Sequence, residues 1–263
     1  NIRLHNLCAH LLLIDRVIFL CIIYESNIMI KDNILKVKER ISSICTKINQ
    51  DAGKITIIAV SKGRTIEQMK EVVEAGITDI GENRVQEAVI KYKGLITSEL
   101  ENSRAIKWHM VGHLQTNKVK DAVRIFDLIQ SVDSVRLAEE IDKQADKINK
   151  IQDIFVEIKT SPEESKFGLK PDEAIKVIKD IVRLKNINIK GLMTIAPVVD
   201  DLEKARPYFR MLREFEDKIN ELRVTSYKLG VLSMGMTDDF EIAIEEGSNM
   251  VRLGRAIFEE RNR

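Results

Sequence analysis

Lys62 closes the string Ala59-Val60-Ser61-Lys62, which ends an apolar run from Ile55 to Val60 at the point where the chain meets solvent. The run is bounded by Gly53 and Gly63 and is rich in β-branched residues, the pattern of a strand buried on both faces. Lys62 then lies at the strand's carboxyl end, which in a repeating β/α protein is the end where sites are built. A lysine held there against apolar walls can lose its proton and attack an aldehyde as an amine. The plainer reading of the same residue is a solvated lysine at a strand end. Other chemically able residues on the same face would favour the first.

Such residues occur near the other end of the chain. Ser233 offers a hydroxyl, and the turn Gly254-Arg255-Ala256 opens a terminal helix whose free N–H groups can face an anion, with Gly254 permitting close approach. The helix start at Asp238-Asp239 carries carboxylates that would repel a dianion, so a phosphate is expected at Gly254 and Arg255 with help from Ser233. Arg252 lies two residues before Gly254, on the same side of its strand, and is expected to point into the space above. An equal alternative makes it the partner of a buried carboxylate such as Glu157. His109 and His113 flank the end of another strand. With no carboxylate or cysteine spaced for a metal, they are assigned hydrogen-bonding or capping roles and no metal site is expected. Lys166, in a later loop, is either a second aldehyde-reactive lysine or an ordinary solvated one.

These residues meet only if the fold brings strand ends to one face. After the strand before Lys62, Thr65 and Gln68 make a capping-box pattern for a helix that Gly76 stops. The strand-loop-helix unit then recurs. Further strands are expected at Ile77–Gly81, Lys107–Gly112, Leu128–Val132, Ile154–Ile158, Ile189–Ile195, Leu229–Met234 and Met250–Gly254. Pro171 and Pro207 open two of the intervening helices. Eight strands alternating with helices point to an α/β protein, a single closed (β/α)8 TIM barrel. A doubly wound open sheet would use the same alternation, but Gly63-Arg64-Thr65 is not the Gly-rich turn that such a sheet carries after its first strand. In the barrel, Lys62, Asn83, His113, Asp133, Thr194, Ser233 and Gly254 share one face.

An extra helix precedes the barrel, with Asp32 as its expected N-cap and Ile34, Val37, Ile41, Ile44 and Ile48 on one face. Residues 1–28 are set aside as an extension of doubtful standing. Their apolar stretch is broken by His10, Asp15 and Arg16, too short a span for a membrane helix, and Met29 is the expected natural start of a domain running over 29–263. The 263 residues carry 42 basic and 41 acidic side chains, a balance that asks for no polyanionic partner and argues against nucleic acid. Three cysteines without C-x-x-C spacing suit a reducing cytoplasm. Four prolines and twelve glycines leave no linker that would divide the chain. The absence of a prominent apolar helix face on the outside favours a monomer.

Several strings make the chain recognisable. Ala59-Val60-Ser61-Lys62, Gly81-Glu82-Asn83-Arg84-Val85-Gln86-Glu87, the run Trp108 to Lys118, Glu164-Ser165-Lys166-Phe167-Gly168, Gly191-Leu192-Met193-Thr194-Ile195, Leu232-Ser233-Met234-Gly235-Met236 and Val251-Arg252-Leu253-Gly254 occur in that order. Together they closely resemble the YggS/PROSC family of pyridoxal phosphate homeostasis proteins, over about residues 29 to 261. The resemblance implies the barrel of the alanine racemase N-terminal domain, carrying pyridoxal 5'-phosphate. It implies a Schiff base on Lys62, a phosphate held by Ser233 with the backbone at Gly254 and Arg255, Arg252 facing the pyridine nitrogen, and Asn83 lining the cofactor. Two departures stand out: Glu259 replaces a usual glycine after Ile-Phe, and Gly63-Arg64 replaces a more usual Thr-Lys.

A cationic arginine against the pyridine nitrogen disfavours its protonation and weakens the ring as an electron sink. Racemisation also needs two opposed acid/base groups, one of which alanine racemases draw from a second domain. The resemblance therefore implies a carrier that binds the reactive aldehyde and passes it to apo-enzymes through transient contacts. A small amino-acid racemase using Lys62 as base is the alternative.

Overall fold

The computed structural model describes residues 29–97, 105–163 and 166–259. The expectations for residues 1–28 lie outside them.

Helix α1 covers residues 29–47. Asp32 is inside it and does not cap it, because Ile30, fully buried, extends the apolar face of Ile34, Val37, Ile41 and Ile44 one turn towards the N-terminus. Eight parallel strands follow: β1 (Thr56–Val60), β2 (Asp79–Glu82), β3 (Lys107–Met110), β4 (Leu128–Val132), β5 (Gln152–Glu157), β6 (Ile187–Met193), β7 (Leu232–Ser233) and β8 (Met250–Leu253). They close in chain order, β8 returning to pair with β1 through Thr56–Met250 to Ala59–Leu253. The expected TIM barrel is the observed one. Helices α2 (Ile66–Glu74), α3 (Val85–Ile96), α4 (Val119–Ile125), α5 (Val135–Asp146), α6 (Pro171–Ile181), α7 (Arg206–Glu221), α8 (Phe240–Glu245) and α9 (Arg255–Phe258) connect or follow the strands. The capping box forms as its sequence predicts, Thr65 Oγ1 accepting from the Gln68 N–H and Gln68 Oε1 from the Thr65 N–H.

Strand β7 is shorter than its apolar pattern. Asparagine side chains take the place of ladder bonds there: Asn220 accepts from the Leu229 N–H at 2.8 Å and Asn249 from the Leu232 N–H at 3.0 Å. Once those groups are satisfied, the backbone before Leu232 need not lie in strand register.

Apolar residues separate into two cores. The larger lies between strands and helices and includes Ala59, Ile80, Val132, Phe209 and Leu253. The smaller fills the barrel interior with Ile58, Leu128, Phe155, Met193 and Met250. Alternation along each strand sends neighbours to opposite cores, as Ile58 and Ala59 do in β1. Phe155 plugs the centre, and truncating it to alanine would cost about 4 kcal/mol through the cavity left behind. Above this plug the inward positions turn polar. There Glu157, Ser233 and Arg252 stand at the carboxyl ends of β5, β7 and β8, all buried.

Candidate functional site

Lys62 follows β1 at the second position of a tight turn. The Arg64 N–H donates to the Ser61 carbonyl at 2.9 Å, and Gly63, third in the turn, has φ +69°. That backbone suits glycine, and the turn throws Lys62 clear of the strand. The Lys62 side chain is exposed, and among the described residues nothing hydrogen-bonds or pairs with its ammonium. It lines a cleft of about 650 Å³ with Asn83, Arg84, Gly112, His113 and Gln115, from the ends of β2 and β3. Asn83 Oδ1 is buried there without a hydrogen-bond partner. An orphaned acceptor beside a lysine is a polar group awaiting a donor.

The backbone around Lys62 is held from behind. Lys91, buried on the inner face of α3, donates from Nζ to the Ser61 carbonyl, Glu82 Oε1 and Glu87 Oε1, each at 2.6 Å. Glu87 also accepts from the Gly63 N–H at 2.6 Å. Burial pushes the Glu82 carboxyl up against the pull of Lys91 and Ser61. Glu87 is held below its ordinary value, its burial outweighed by the bonds from Lys91 and Gly63.

Arg252 is fixed through its side chain. Nη1 donates to Ser233 Oγ at 2.7 Å and Nη2 to the Thr194 carbonyl at 2.8 Å. The Ser233 hydroxyl donates to Gln130 Oε1 at 2.7 Å, while Gln130 Nε2 stands 3.1 Å from His109 Nδ1. His109 Nε2 is 2.9 Å from Asp79 Oδ1. With Gln130 donating, Nδ1 accepts and the ring proton sits on Nε2, facing the carboxylate. The bonds therefore run one way across the barrel, from the guanidinium on β8 through β7, β4 and β3 to a carboxylate on β2. Such a chain is mutually polarising. Burial holds the Arg252 guanidinium down at about 10, against the opposing pull of Asp239 and Glu157.

Glu157 is not the direct partner of Arg252. It is 4% exposed, and its carboxylate makes no hydrogen bond or ion pair among the described residues. Burial first, and then the charge of Asp133, push its carboxyl up to about 7 although Arg252 draws it down. Ser233, expected at a phosphate, is inside the barrel with its hydroxyl engaged by Gln130 and Arg252. Arg255 pairs its guanidinium with Asp238 at the surface. Thr237 Oγ1 accepts from the Ala256 N–H at 3.2 Å in the first turn of α9. A Cβ at Gly254 would meet nothing nearer than the Val60 carbonyl at 3.6 Å, so the chain's own packing does not demand glycine there. The open side of Gly254 suits a ligand that must approach the backbone.

Of the two histidines, His109 takes a hydrogen-bonding role as above, whereas His113 stands 3.5 Å from Asp133 with its ring stacked 3.8 Å from that of Phe167. Lys166 is half-buried, its N–H on the Glu163 carbonyl at 3.3 Å. The two departures from the family pattern meet in space, Arg64 pairing with Glu259 at 2.5 Å. Gln130, Thr237 and Lys91 escaped the sequence reading. Gln130 and Lys91 carried a faint signal, each a polar residue on an otherwise buried face of its element.

Comparison with known proteins agrees with this architecture. The family described as alanine racemase, N-terminal domain, matches residues 33–262. A pyridoxal phosphate homeostasis protein of Aquifex aeolicus is 40% identical over 230 residues, covering 88% of this chain and 97% of that protein. The protein of the same name from Escherichia coli is 32% identical, covering 89% and 97%. Among solved structures, PipY of Synechococcus elongatus with PLP bound superposes with a TM-score of 0.72 at 31% identity, covering 84% of this chain and 99% of that one. Alanine racemase of Clostridium difficile, at 15% identity and a TM-score of 0.69, shares the fold over 91% of this chain and 60% of its own. The chain belongs to the alanine racemase N-terminal domain family, among the pyridoxal phosphate homeostasis proteins.

Proposed function

We propose that the chain binds pyridoxal 5'-phosphate as a Schiff base on Lys62 and acts in intracellular vitamin B6 homeostasis, handing the cofactor to apo-enzymes. The observation that carries this reading is the pairing, in one cleft, of an unengaged exposed lysine with the orphaned buried carbonyl of Asn83. When bound, the cofactor supplies an aldehyde that condenses with an amine and a ring that can accept electrons. Lys62 provides the amine and Asn83 an acceptor beside it. Gly254 and the backbone of Arg255 receive the phosphate, backed by Ser233 through its hold on Arg252. Arg252 directs a fixed positive charge into the mouth, where it opposes protonation of a pyridine nitrogen.

That charge favours a carrier over a racemase. The homeostasis relatives are also matched over 97% of their length, against 60% for the racemase. No helix of the described residues is long and apolar enough to cross a membrane. We assign the protein to the cytoplasm as a monomer that meets its recipient enzymes transiently.

The test is an absorbance spectrum with added pyridoxal phosphate, then borohydride reduction and peptide mapping. A yellow protein reduced at Lys62 supports the proposal, and a colourless, unmodified one sinks it. Carrier and racemase separate on α-proton exchange into deuterated water with a panel of amino acids. None is expected, and turnover abolished by Lys62→Ala would establish the racemase instead.

A further inference from the structure

Behind the exposed lysine lies a second one of opposite character. Lys62 is solvent-facing and unengaged, whereas Lys91 is 5% exposed and all three of its N–H bonds have acceptors. Lys91 holds the Ser61 carbonyl, and Glu87, one helical turn earlier on α3, holds the Gly63 N–H. The peptide groups on either side of Lys62 are thus gripped from one helix. The Ser61 hydroxyl adds a bond to Glu82 Oε1 at 2.5 Å, so Lys91 and Glu82 engage Ser61 through its backbone and its side chain, while Glu87 holds the next peptide.

We propose that Lys91 and Glu87 are positioning residues that fix the turn carrying Lys62, so that its amine enters the cleft with only side-chain torsions left free. The inference rests on the reading of Lys62 as the anchor. A buried charge cluster is a poor device for stability alone, since well-packed apolar residues of similar volume usually do as well. An apolar residue at position 91 could fill the space, but it could not reach the Ser61 carbonyl. Backbone freedom at a nucleophile translates directly into lost reaction rate, because the reacting amine spends less time at the right distance. The arrangement also keeps the two lysines apart chemically. Lys91, buried and fully bonded, offers no lone pair to an aldehyde, so a reactive carbonyl entering the cleft finds one amine.

The test compares wild type, Lys91→Met, Lys91→Arg and Glu87→Ala, each checked for folding by near-UV circular dichroism. Two quantities are measured: the rate constant for the yellow adduct with pyridoxal phosphate, and the affinity for pyridoxine 5'-phosphate, which has the ring and phosphate but no aldehyde. Lys91→Met is expected to slow adduct formation by about tenfold or more while leaving the pyridoxine phosphate affinity unchanged, and Lys91→Arg to restore most of the rate. A folded Lys91→Met protein reacting at the wild-type rate overturns the inference, as does one whose affinity falls in step with its rate. If Lys91→Met does not fold, Glu87→Ala decides. Faster hydrogen exchange at the Gly63 amide with slower adduct formation supports positioning, and faster exchange with an unchanged rate refutes it. Mapping the reduced wild-type adduct separates the two levels. Attachment away from Lys62 removes the anchor and the inference together, whereas attachment at Lys62 with an indifferent Lys91→Met removes only the inference.

Discussion

The two sides of the barrel mouth are built on opposite plans. On the β1–β2 side the backbone is tied down and the side chain is left loose: Lys62 is exposed and unengaged on a turn whose neighbouring peptides are bonded to α3. On the β7–β8 side the side chain itself is tied down, Arg252 being 4% exposed and bonded to Ser233 and Thr194. Under the proposed function, the difference follows from what each group would have to do. An amine that must form and break a covalent bond has to move and meet solvent, whereas a charge that biases a ring electrostatically is most effective when it is already oriented and dry.

The comparison breaks first at its ends. Lys62→Ala is expected to abolish the yellow adduct yet change stability by no more than about 0.5 kcal/mol, since an exposed side chain without partners is removed. Arg252→Leu is expected to do the reverse on stability, costing about 4 kcal/mol in urea denaturation because Ser233 and the Thr194 carbonyl lose bonds to a charged donor inside the barrel. A stable Arg252→Leu protein, or an unstable Lys62→Ala one, would show that the two plans are not distinct.

Glu157 sharpens the contrast through pH. Burial raises its folded carboxyl to about 7, above the value of an unfolded glutamate, so the native state binds the proton more tightly than the unfolded one. Stability from this group is therefore greatest below the unfolded value, falls as pH rises through about 7, and is level above. Glu216, also pushed up to about 7 by burial, slopes the same way, so the informative quantity is the difference between wild type and Glu157→Gln. The variant is expected to match wild type near pH 4 and to be more stable by up to about 3 kcal/mol at pH 8. Equal stability at pH 8 would mean that Glu157 is hydrated, and that the mouth is less dry than Arg252 requires.

Much of this arrangement was legible in the chain, for identifiable reasons. Strand β4 falls on the residues expected of it, Leu128–Val132, where every residue is buried. Strand β7 was overestimated because its apolar pattern does not show that two side chains, Asn220 at the end of α7 and Asn249 before β8, bond its backbone. Lys62 stands out in the sequence because it follows a largely apolar, β-branched run and precedes a glycine. The interior chain does not, since its members contact across long separations, Ser233 and Gln130 being 103 residues apart. Periodicity says which face a residue occupies and nothing about which inward residue it meets. Ser233 illustrates the limit: its type and place put a hydroxyl at a strand end, and its bonds with Gln130 and Arg252 are visible only in the assembled barrel.

Gln130 gives the finest test, because it touches the arginine only through Ser233. Its amide accepts from Ser233 and faces His109, and it is fully buried next to the apolar plug. Gln130→Leu keeps the volume but leaves the Ser233 hydroxyl without an acceptor and His109 Nδ1 without a donor, at a cost of about 2 kcal/mol. New contact with Leu128, Phe155 and Met250 offsets part of that. The Lys62 turn is anchored to α3 and shares no partner with this chain, so separated effects should add. Gln130→Leu is therefore expected to lower the urea midpoint while leaving the rate of adduct formation at Lys62 within about twofold of wild type. A slowed rate at unchanged stability would mean that the two sides of the mouth communicate through the interior, and that fixing Arg252 and freeing Lys62 are parts of one device.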